Sequence, residues 1–452
     1  MARTPLAQRI EDAYAEVVES RTTRRELVKR TAAAGAAVAG ASTLGRFTKA
    51  AYAAGQPQIA VVGAGLAGLT CAYRLKQAGY NATVYEANPD RIGGRCWSMK
   101  FANGQIAEHG GELIDQSHTA MRQLAQELGF TLDNLLQAQP KGTEDFFYVN
   151  GAKYSYSQLI VDLNAIYQKL HKDVTAASYP TLWNLSTQRG RELDHMSIID
   201  WLNETVPGGA SSNLGRVLDI AYNIEYGAEC SEQSALNLVY LLGYTGQGQF
   251  RVFGKSNEKY HIEGGNDQVP KELGARLSGQ IKLDHVLTAI KQNTGGSFTL
   301  TFQNGTGVKT TTVDHVVLAI PFSMLRGVNY GKAGFEPLKV TAIKELPMGT
   351  NSKLHVQFND RFWYDADNNG NTYADTGYQA TWEVTRAQPG AQGILVDYTG
   401  GTAGASFGTD TVQNYAQRFL KQIEPVLPGI SATYNGRATL DFWKAYPWTR
   451  GS

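Results

Sequence analysis

The chain has 452 residues, of which 42% are hydrophobic and 18% are charged, a composition that is ordinary for a globular protein. Its 42 basic and 41 acidic residues give a formal net charge of +1, which argues against a surface for nucleic acid or for an anionic membrane. The length is too great for one small core, so two closely packed domains are expected.

The first 53 residues contain the three parts of an export signal in the correct order. Arg24 and Arg25 form a twin arginine, residues 31–44 are weakly apolar, and Ala51 and Ala53 place small residues where a signal peptidase cleaves. We therefore predict a Tat signal peptide over residues 1–53 and a periplasmic or secreted mature protein. A basic helix followed by a flexible linker is the alternative.

The elements after the signal begin with a strand, a glycine turn and a helix that Gly79 ends. Helices are predicted over residues 66–78, 119–128 and 197–202. Strands are predicted over residues 58–62, 82–85, 282–290, 297–302, 313–320 and 353–358, with a hairpin at Asn304 and Gly305. Residues 365–371 are rich in Asp, Asn and Gly, which indicates an exposed loop.

Three cysteines are present, Cys71, Cys96 and Cys230. The odd number and the absence of a C-x-x-C pair favour reduced, mostly buried thiols. No Cys/His cluster has the spacing of metal ligands, so we predict no metal site.

The glycine turn reads G-A-G-L-A-G over residues 63–68, between the first strand and the first helix. This is the context of a dinucleotide-binding fingerprint. Gly63 permits the tight turn, Gly65 lets the backbone approach a diphosphate, and Gly68 lets helix and strand pack closely. Glu86 ends the second strand, where a carboxylate accepts hydrogen bonds from ribose hydroxyls and disfavours NADP.

Two further glycine pairs favour FAD over NAD. Residues 91–95 read R-I-G-G-R, and residues 108–115 read E-H-G-G-E-L-I-D. Together with the fingerprint, they resemble the flavin amine oxidases, a family that includes monoamine and polyamine oxidases. In that family the first pair follows the diphosphate and the second brings backbone close to the flavin ring, although surface turns are an alternative interpretation.

The resemblance runs from residue 58 to residue 448 and implies an α/β fold. It implies a two-dinucleotide-binding, Rossmann-like FAD domain over residues 54–115 and 255–330, with an interleaved α+β substrate domain over residues 116–254 and 331–452. In the family, the residue that matches Val286 contacts the adenine through its backbone. The implied FAD-binding residues are Gly63, Gly65, Leu66, Ala67, Gly68, Glu86, Ala87, Gly93, Gly94, Arg95, Gly110, Gly111, Glu112 and Val286.

Residues 348–354 read M-G-T-N-S-K-L and precede Phe362 and Trp363. They resemble the family segment that brings a lysine close to flavin N5. Lys353 is thereby implied as the catalytic residue, holding a water at N5 and assisting the reaction of reduced flavin with O2. A lysine in a closed apolar site suits this role because it stabilises developing negative charge. An exposed lysine at a sheet edge is the alternative.

The resemblance implies oxidation of an amine to an imine, then to an aldehyde and ammonia, while O2 becomes H2O2. Amino acid oxidases have an arginine where this chain has Glu112, and an acid favours a cationic amine, so an L-amino acid is the alternative substrate. An ion pair between Glu112 and Arg91 or Arg95 is an equally good interpretation of that residue. His109 and His118 are read as structural.

The family pattern continues past residue 452 with a strand and a helix that faces flavin N1 and O2. Because the sequence here does not contain that segment, we expect FAD to be bound non-covalently. A non-catalytic flavin-binding fragment is a further alternative.

Overall fold

The computed structural model describes residues 55–452, so the predicted signal over residues 1–53 lies outside the described residues. The strands in chain order are β1 (Ile59–Val62), β2 (Ala82–Tyr85), β3 (Ser98–Lys100), β4 (Ile106–Glu108), β5 (Leu132–Asn134), β6 (Glu144–Val149), β7 (Ala152–Tyr154), β8 (Tyr260–Ile262), β9 (Ile281–Lys282), β10 (Val286–Gln292), β11 (Phe298–Asn304), β12 (Gly307–Val313), β13 (His315–Leu318), β14 (Asn329–Lys332), β15 (Ser352–Phe358), β16 (Asn368–Ala374), β17 (Ala380–Glu383), β18 (Gly393–Thr399) and β19 (Tyr434–Phe442).

The α-helices are α1 (Leu66–Gln77), α2 (Thr119–Leu128), α3 (Leu135–Ala138), α4 (Tyr156–Ala177), α5 (Gln188–Asp194), α6 (Ile198–Thr205), α7 (Asn213–Tyr226), α8 (Ala235–Leu242), α9 (Gln268–Arg276), α10 (Phe322–Leu325), α11 (Pro337–Glu345), α12 (Gly401–Ala405) and α13 (Val412–Ile423). None of those in the described part of the chain has the length and apolar character to cross a bilayer.

A four-stranded parallel sheet with the order β13-β1-β2-β9 carries the glycine turn. All four residues of β1 are buried, as expected of a parallel strand covered on both faces. Val61 of β1, Leu69 of α1 and Leu273 of α9 share one hydrophobic core on one side of the sheet. Ala60 and Val62 face a second core, shared with the sheet β12-β11-β10-β14.

A seven-stranded sheet with the order β19-β15-β18-β17-β16-β6-β7 forms the other large layer. Strand β15 lies between β18 and β19 and pairs antiparallel with both, so it is an interior strand. All seven of its residues are buried. This burial places any polar side chain of β15 inside the protein.

Helices α4 to α8 form a cluster around the fully buried Trp201 and Tyr222. Serine N-caps fix where several of these helices begin, because the hydroxyl accepts from a free backbone N–H of the first turn. Ser155, Ser197 and Ser212 do so for α4, α6 and α7. The C-terminal end of α7 brings residues 224–226 to the seven-stranded sheet.

The predicted elements compare with the structure as follows. The helix over residues 119–128, the strand over residues 82–85 and the hairpin at Asn304 and Gly305 are confirmed. The other predicted helices and strands are found with shifted ends, apart from the strand predicted over residues 282–290. The single strand predicted over residues 282–290 is wrong, because Asp284, at φ +56°, breaks it into β9 and β10 of different sheets. The exposed loop predicted over residues 365–371 is also wrong, because Asn368 and Asn369 are buried in β16. All three cysteines are free, and Cys96 and Cys230 are buried.

Candidate active site

In the glycine turn between β1 and α1, two of the three glycines have no space for a side chain, whereas the third faces open space. Gly63 has φ +102°, and a Cβ there would lie 2.5 Å from the Ala319 carbonyl oxygen. A Cβ on Gly68 would lie 1.9 Å from the Gly63 carbonyl oxygen. A Cβ on Gly65 would have no atom within 4 Å. The crowded glycines therefore close the turn, whereas Gly65 leaves the space in front of α1 open.

The N-terminus of α1 faces this open space. Its N-cap is Gly65, which has no side chain to accept from the first backbone N–H groups, and the first turn contains no acidic residue. An uncapped helix N-terminus is an anion-binding position because its N–H groups and the helix dipole both favour negative charge.

Glu86 lies at the carboxyl end of β2 and is buried. One carboxylate oxygen accepts from the Ala64 N–H at 2.7 Å, and the other accepts from the Asn88 N–H at 2.9 Å. The glycine turn and the segment after β2 thus fix the carboxylate at the edge of the parallel sheet.

The R-I-G-G-R loop packs directly on the glycine turn. The Gly93 N–H donates to the Ala64 carbonyl at 2.8 Å, and Gly93 has φ +101°. The two arginines of the loop differ. The Arg91 guanidinium lies 4.2 Å from the Trp97 ring and donates to the Tyr446 hydroxyl at 2.5 Å. The Arg95 guanidinium makes no hydrogen bond or ion pair with residues 55–452, and burial lowers its pKa.

The second glycine pair lies beside Arg95. A Cβ on Gly110 would lie 2.0 Å from the Arg95 carbonyl oxygen, whereas Gly111 has no atom within 4 Å. The Gly111 N–H donates to the Arg95 carbonyl at 3.0 Å. The backbone at Gly111 can therefore be approached closely from the open side.

Lys353 extends from β15 to this glycine pair and is 4% exposed, which rules out an exposed lysine at a sheet edge. Its Nζ donates to the Glu108 carbonyl at 3.1 Å, the Gly110 carbonyl at 2.9 Å and the Glu112 carboxylate at 2.7 Å. These three contacts use all three donors of an ammonium group.

Glu112 is therefore paired with Lys353, and the alternative interpretation of an ion pair with Arg91 or Arg95 is wrong. Its other carboxylate oxygen accepts from the Trp382 indole N–H at 2.9 Å. Both oxygens are thus engaged by neighbouring side chains. The physical reason is topological, since β15 carries a buried cation that the loop after β4 must neutralise.

A buried histidine lies two residues beyond Lys353 on the same face of β15. The pKa of His355 is well below its usual value because of burial and the nearby charges of Lys353 and His109. Asp441 of β19 lies next to it and pairs with His109 Nδ1 at 2.6 Å. His109 also stacks on Trp97, with ring centroids 3.6 Å apart. His109 therefore occupies a packed network, consistent with the structural role predicted for it.

These elements surround a cavity of about 850 Å³. It is lined by every predicted site residue except Gly68, namely Gly63, Gly65, Leu66, Ala67, Glu86, Ala87, Gly93, Gly94, Arg95, Gly110, Gly111, Glu112, Val286 and Lys353. Gly68 lies behind the turn and packs on Gly63. The cavity volume lies in the range typical of a site for a cofactor or a small molecule.

The sequence analysis missed a second set of residues that line the same cavity. These residues are acidic or aromatic, and they include Glu225, Glu258, Tyr373, Trp382 and Tyr398. They come from α7, the loop before β8 and three strands of the seven-stranded sheet. Because they are spread over more than 170 positions of the chain, no local spacing could have brought them together.

The residues at one end of the cavity fit FAD. The uncapped α1 N-terminus and the unpartnered Arg95 guanidinium supply positive charge for a diphosphate. The fixed Glu86 carboxylate supplies acceptors for ribose hydroxyls. The open glycines Gly65 and Gly111 leave room where backbone must approach the cofactor. Within residues 55–452 no group of His, Cys, Asp and Glu side chains is arranged to hold a metal ion.

Comparison with known proteins identifies the family. The family model for flavin containing amine oxidoreductases matches residues 66–452. The chain belongs to this family. The amine oxidoreductase is FAD-dependent, as the cavity and the family together require, and the predicted cofactor and reaction class are confirmed.

Relatives of this amine oxidoreductase are distant. Polyamine oxidase 7 of Oryza sativa subsp. japonica is 26% identical over 362 residues, which cover 76% of this chain and 73% of that protein. The AofH protein of Mycobacterium tuberculosis, whose name describes a flavin-containing monoamine oxidase, is 26% identical over 328 residues, 70% of this chain and 68% of that protein.

Among solved structures, cyclohexylamine oxidase from Brevibacterium oxydans IH-35A superposes with a TM-score of 0.74 at 20% identity. The superposition covers 88% of this chain and 87% of that one. At this identity the likeness concerns the fold, and it confirms the predicted α/β fold of an FAD-dependent amine oxidase.

Proposed function

We propose that the protein oxidises an amine to an imine and transfers the electrons to O2, which leaves as H2O2. The observation that carries this proposal is the buried Lys353 ammonium, held against Gly110 and Glu112 in the cavity that fits FAD. The flavin supplies the two-electron acceptor. The chain binds the substrate, orients it and excludes water from the site.

The cofactor-binding roles follow from the positions of the lining residues. The turn from Gly63 to Gly68, the α1 N-terminus and Arg95 would hold the diphosphate, and Glu86 with Ala87 would hold the adenosine ribose. Val286, the first residue of β10, lines the same cavity and would hold the adenine through its backbone. Gly110 and Gly111 let the main chain lie against the flavin ring.

Lys353 acts as a fixed positive charge beside the reacting end of the cavity. Because its three donors already contact protein acceptors, a water can be held there only if one contact is released. The contact with the Glu108 carbonyl, at 3.1 Å, is the longest of the three and the one we expect to be exchanged. A cation at this position stabilises the negative charge that develops as O2 is reduced.

An amine is the substrate we propose, rather than an amino acid. Glu112 no longer supports this choice by itself, because Lys353 neutralises it. The support comes from Glu225 and Glu258, which line the same cavity and make it acidic, so that a substrate bringing a positive charge is favoured over one bringing a further carboxylate.

The test is to purify the FAD-loaded chain, mix it without O2 with a panel of primary and secondary amines and L-amino acids, and follow loss of the visible flavin absorbance. Air is then admitted and peroxide is measured with a coupled peroxidase. Bleaching by amines followed by stoichiometric peroxide is the expected result. Faster bleaching by amino acids, or reoxidation without peroxide, would overturn the proposal.

We also propose that residues 1–53 direct export by the Tat route. The support is the order of twin arginine, weakly apolar stretch and A-x-A sequence. In a bacterial host with this route, we expect an exported protein that begins at Ala54. Arg24→Lys with Arg25→Lys should keep it in the cytoplasm, whereas Arg21→Lys, a matched change outside the pair, should not. Export of the double variant would contradict the proposal.

A further inference from the structure

His109 lies at the centre of the main-chain segment that binds the Lys353 ammonium. The Glu108 and Gly110 carbonyls, one on each side of His109 in the chain, accept from Lys353 Nζ at 3.1 Å and 2.9 Å. The positions of these two acceptors therefore depend on how His109 is held. His109 does not line the cavity formed by the described residues, so any effect on the reaction must pass through its neighbours.

Both the main chain and the side chain of His109 are fixed. Its N–H donates to the Trp97 carbonyl at 2.9 Å, and its carbonyl accepts from the Trp443 indole N–H at 2.9 Å. Its ring stacks on Trp97, and Nδ1 lies 2.6 Å from Asp441 Oδ1. The charged contact of His109 is thus the one with Asp441.

Asp441 is also the direct cross-strand neighbour of Lys353. Strand β19 pairs antiparallel with β15, and the register places Asp441 opposite Lys353. Directly opposite residues of an antiparallel pair have their side chains on the same face, with Cβ atoms about 4.5–5.5 Å apart. One carboxylate therefore connects the ring of His109 to the strand position of the lysine that the His109 main chain holds.

The second oxygen of Asp441 is not neutralised by a hydrogen bond. Oδ2 is buried and has no donor among residues 55–452. His355 Nδ1 lies 3.8 Å from it, but burial and the charges of Lys353 and His109 hold the pKa of His355 well below its usual value, so this ring is neutral. The charge of Asp441 is therefore balanced by His109 on one side and by the cross-strand Lys353 on the other.

Two carboxylates thus flank the Lys353 side chain. Glu112 binds the ammonium directly, at 2.7 Å, whereas Asp441 binds His109. Without its histidine, Asp441 would compete with Glu112 for the ammonium, because opposite charges attract strongly in a buried site. The contact between His109 and Asp441 reduces that competition and leaves Lys353 directed at Glu112 and the glycine pair.

We propose that His109 and Asp441 are positioning residues for Lys353, whose ion pair keeps the ammonium at the reactive end of the cavity and thereby supports the reaction of reduced flavin with O2. This inference rests on the role proposed above for Lys353. Neither His109 nor Asp441 lines the cavity formed by the described residues. Both act through the lysine, by holding its main-chain acceptors and by setting the charge beside it.

The two half-reactions should respond differently to loss of the ion pair. Negative charge builds up when O2 is reduced, and a correctly placed cation stabilises it. Oxidation of the amine creates no anion that needs Lys353. A displaced ammonium should therefore slow reoxidation of the flavin much more than its reduction by the substrate.

The first test measures reoxidation without any amine. The FAD-loaded full chain is reduced with light in the absence of O2 and is then mixed rapidly with oxygenated buffer. Asp441→Asn and His109→Leu should reoxidise 10-fold or more slowly than the wild type. His109→Asn, which keeps an N–H close to the position of Nδ1, should lose less than 3-fold. Wild-type rates in the first two variants, or an equal loss in His109→Asn and His109→Leu, would overturn the inference.

Asp194→Asn is the matched control, because Asp194 ends α5 at an exposed position outside the cavity. Its reoxidation rate should equal that of the wild type. Retained flavin absorbance shows that each variant is folded. Asp441→Asn, which keeps the shape of the side chain, replaces His109→Leu throughout if the latter does not retain FAD.

The second test uses the flavin-free protein and does not depend on activity. Denaturant unfolding gives the free energy lost in His109→Leu, in Lys353→Met and in the double variant. If His109 acts only locally, the two losses add. If it positions Lys353, the double variant should lose less than the sum of the single losses, because the second change removes a contact that the first has already disturbed. Additive losses would contradict the inference.

The outcomes separate this inference from the proposed function. If Lys353→Met reoxidises as fast as the wild type, the role proposed for Lys353 itself fails. If Lys353→Met is slow while Asp441→Asn and His109→Leu are as fast as the wild type, only the positioning inference is overturned.

Discussion

The Lys353 ammonium lies 2.7 Å from the Glu112 carboxylate, in an ion pair whose two side chains are each 5% exposed. Breaking such a pair from one side leaves the other charge buried without a partner, which costs about 3–5 kcal/mol in comparable proteins. The pair therefore couples the stability of the fold to the reactive end of the cavity.

Lys353→Met should lower both the free energy of unfolding and the rate at which O2 reoxidises the reduced flavin. We expect a loss of about 3 kcal/mol in the free energy of unfolding, from the orphaned Glu112 carboxylate, and a rate of reoxidation by O2 reduced 10-fold or more. The double variant Lys353→Met with Glu112→Gln should regain part of the stability and none of the reoxidation rate. Denaturant unfolding and stopped-flow mixing with O2 measure the two effects. Equal losses of stability in the single and double variants would contradict the coupling.

Two glycine variants of the turn should fail for different reasons. Gly68→Ala drives a methyl group into the Gly63 carbonyl and should destabilise or prevent folding. Gly65→Ala meets no protein atom within 4 Å, so the protein should fold but bind FAD more weakly, by 10-fold or more. Flavin content after purification and the Tm of the flavin-free protein distinguish the two. Full flavin content in Gly65→Ala would show that the cofactor does not approach this residue.

Glu86→Gln should weaken FAD binding by about 10- to 100-fold, which corresponds to loss of a charge-assisted hydrogen bond of about 1.5–3 kcal/mol. The amide that replaces the carboxylate also presents a donor to the Ala64 or Asn88 N–H. Titration of the flavin-free protein with FAD gives the Kd. Glu232→Gln, at an exposed position, is the control, and an unchanged Kd in Glu86→Gln would argue against contact with the ribose.

Glu258→Gln should change how stability depends on pH. The pKa of Glu258 is about 8 in the folded chain, well above its value of about 4.3 in an unfolded one. Between these values the folded state keeps a proton that the unfolded state releases, so this residue lowers stability as pH rises. The variant should therefore have a higher Tm than the wild type at pH 8 and above, and the difference should vanish near pH 4. A Tm difference that does not vary with pH would contradict this expectation.

The sequence predicted the end of the cavity where local chain geometry determines the site. Gly63, Gly65 and Glu86 belong to one strand–turn–helix–strand unit, so their spacing alone places them together. Lys353 was found through its resemblance to a family segment, but its partner was not. The Glu112 pairing depends on how β15 packs against the loop after β4, and no local rule gives that contact.

The acidic end of the cavity was not predicted for the same reason. Glu225 lies at a helix end and Glu258 in a loop, and only the tertiary fold brings both to the seven-stranded sheet. The error over residues 365–371 has a related cause. Asn368 and Asn369 were read as loop residues, yet their side-chain amides donate to the Glu144 carbonyl and the Asp145 carboxylate of the neighbouring β6. Their polarity is satisfied by a strand more than 220 positions earlier in the chain.

The position of Lys353 on an interior strand also limits how the molecule can move. Its ammonium joins the seven-stranded sheet to Glu108, which ends the β3–β4 hairpin, and to Gly110 and Glu112, which follow it. A clamshell opening of these two layers would tear three contacts from one buried charge at once. We therefore expect substrate and product to enter and leave the cavity without hinge bending of these elements.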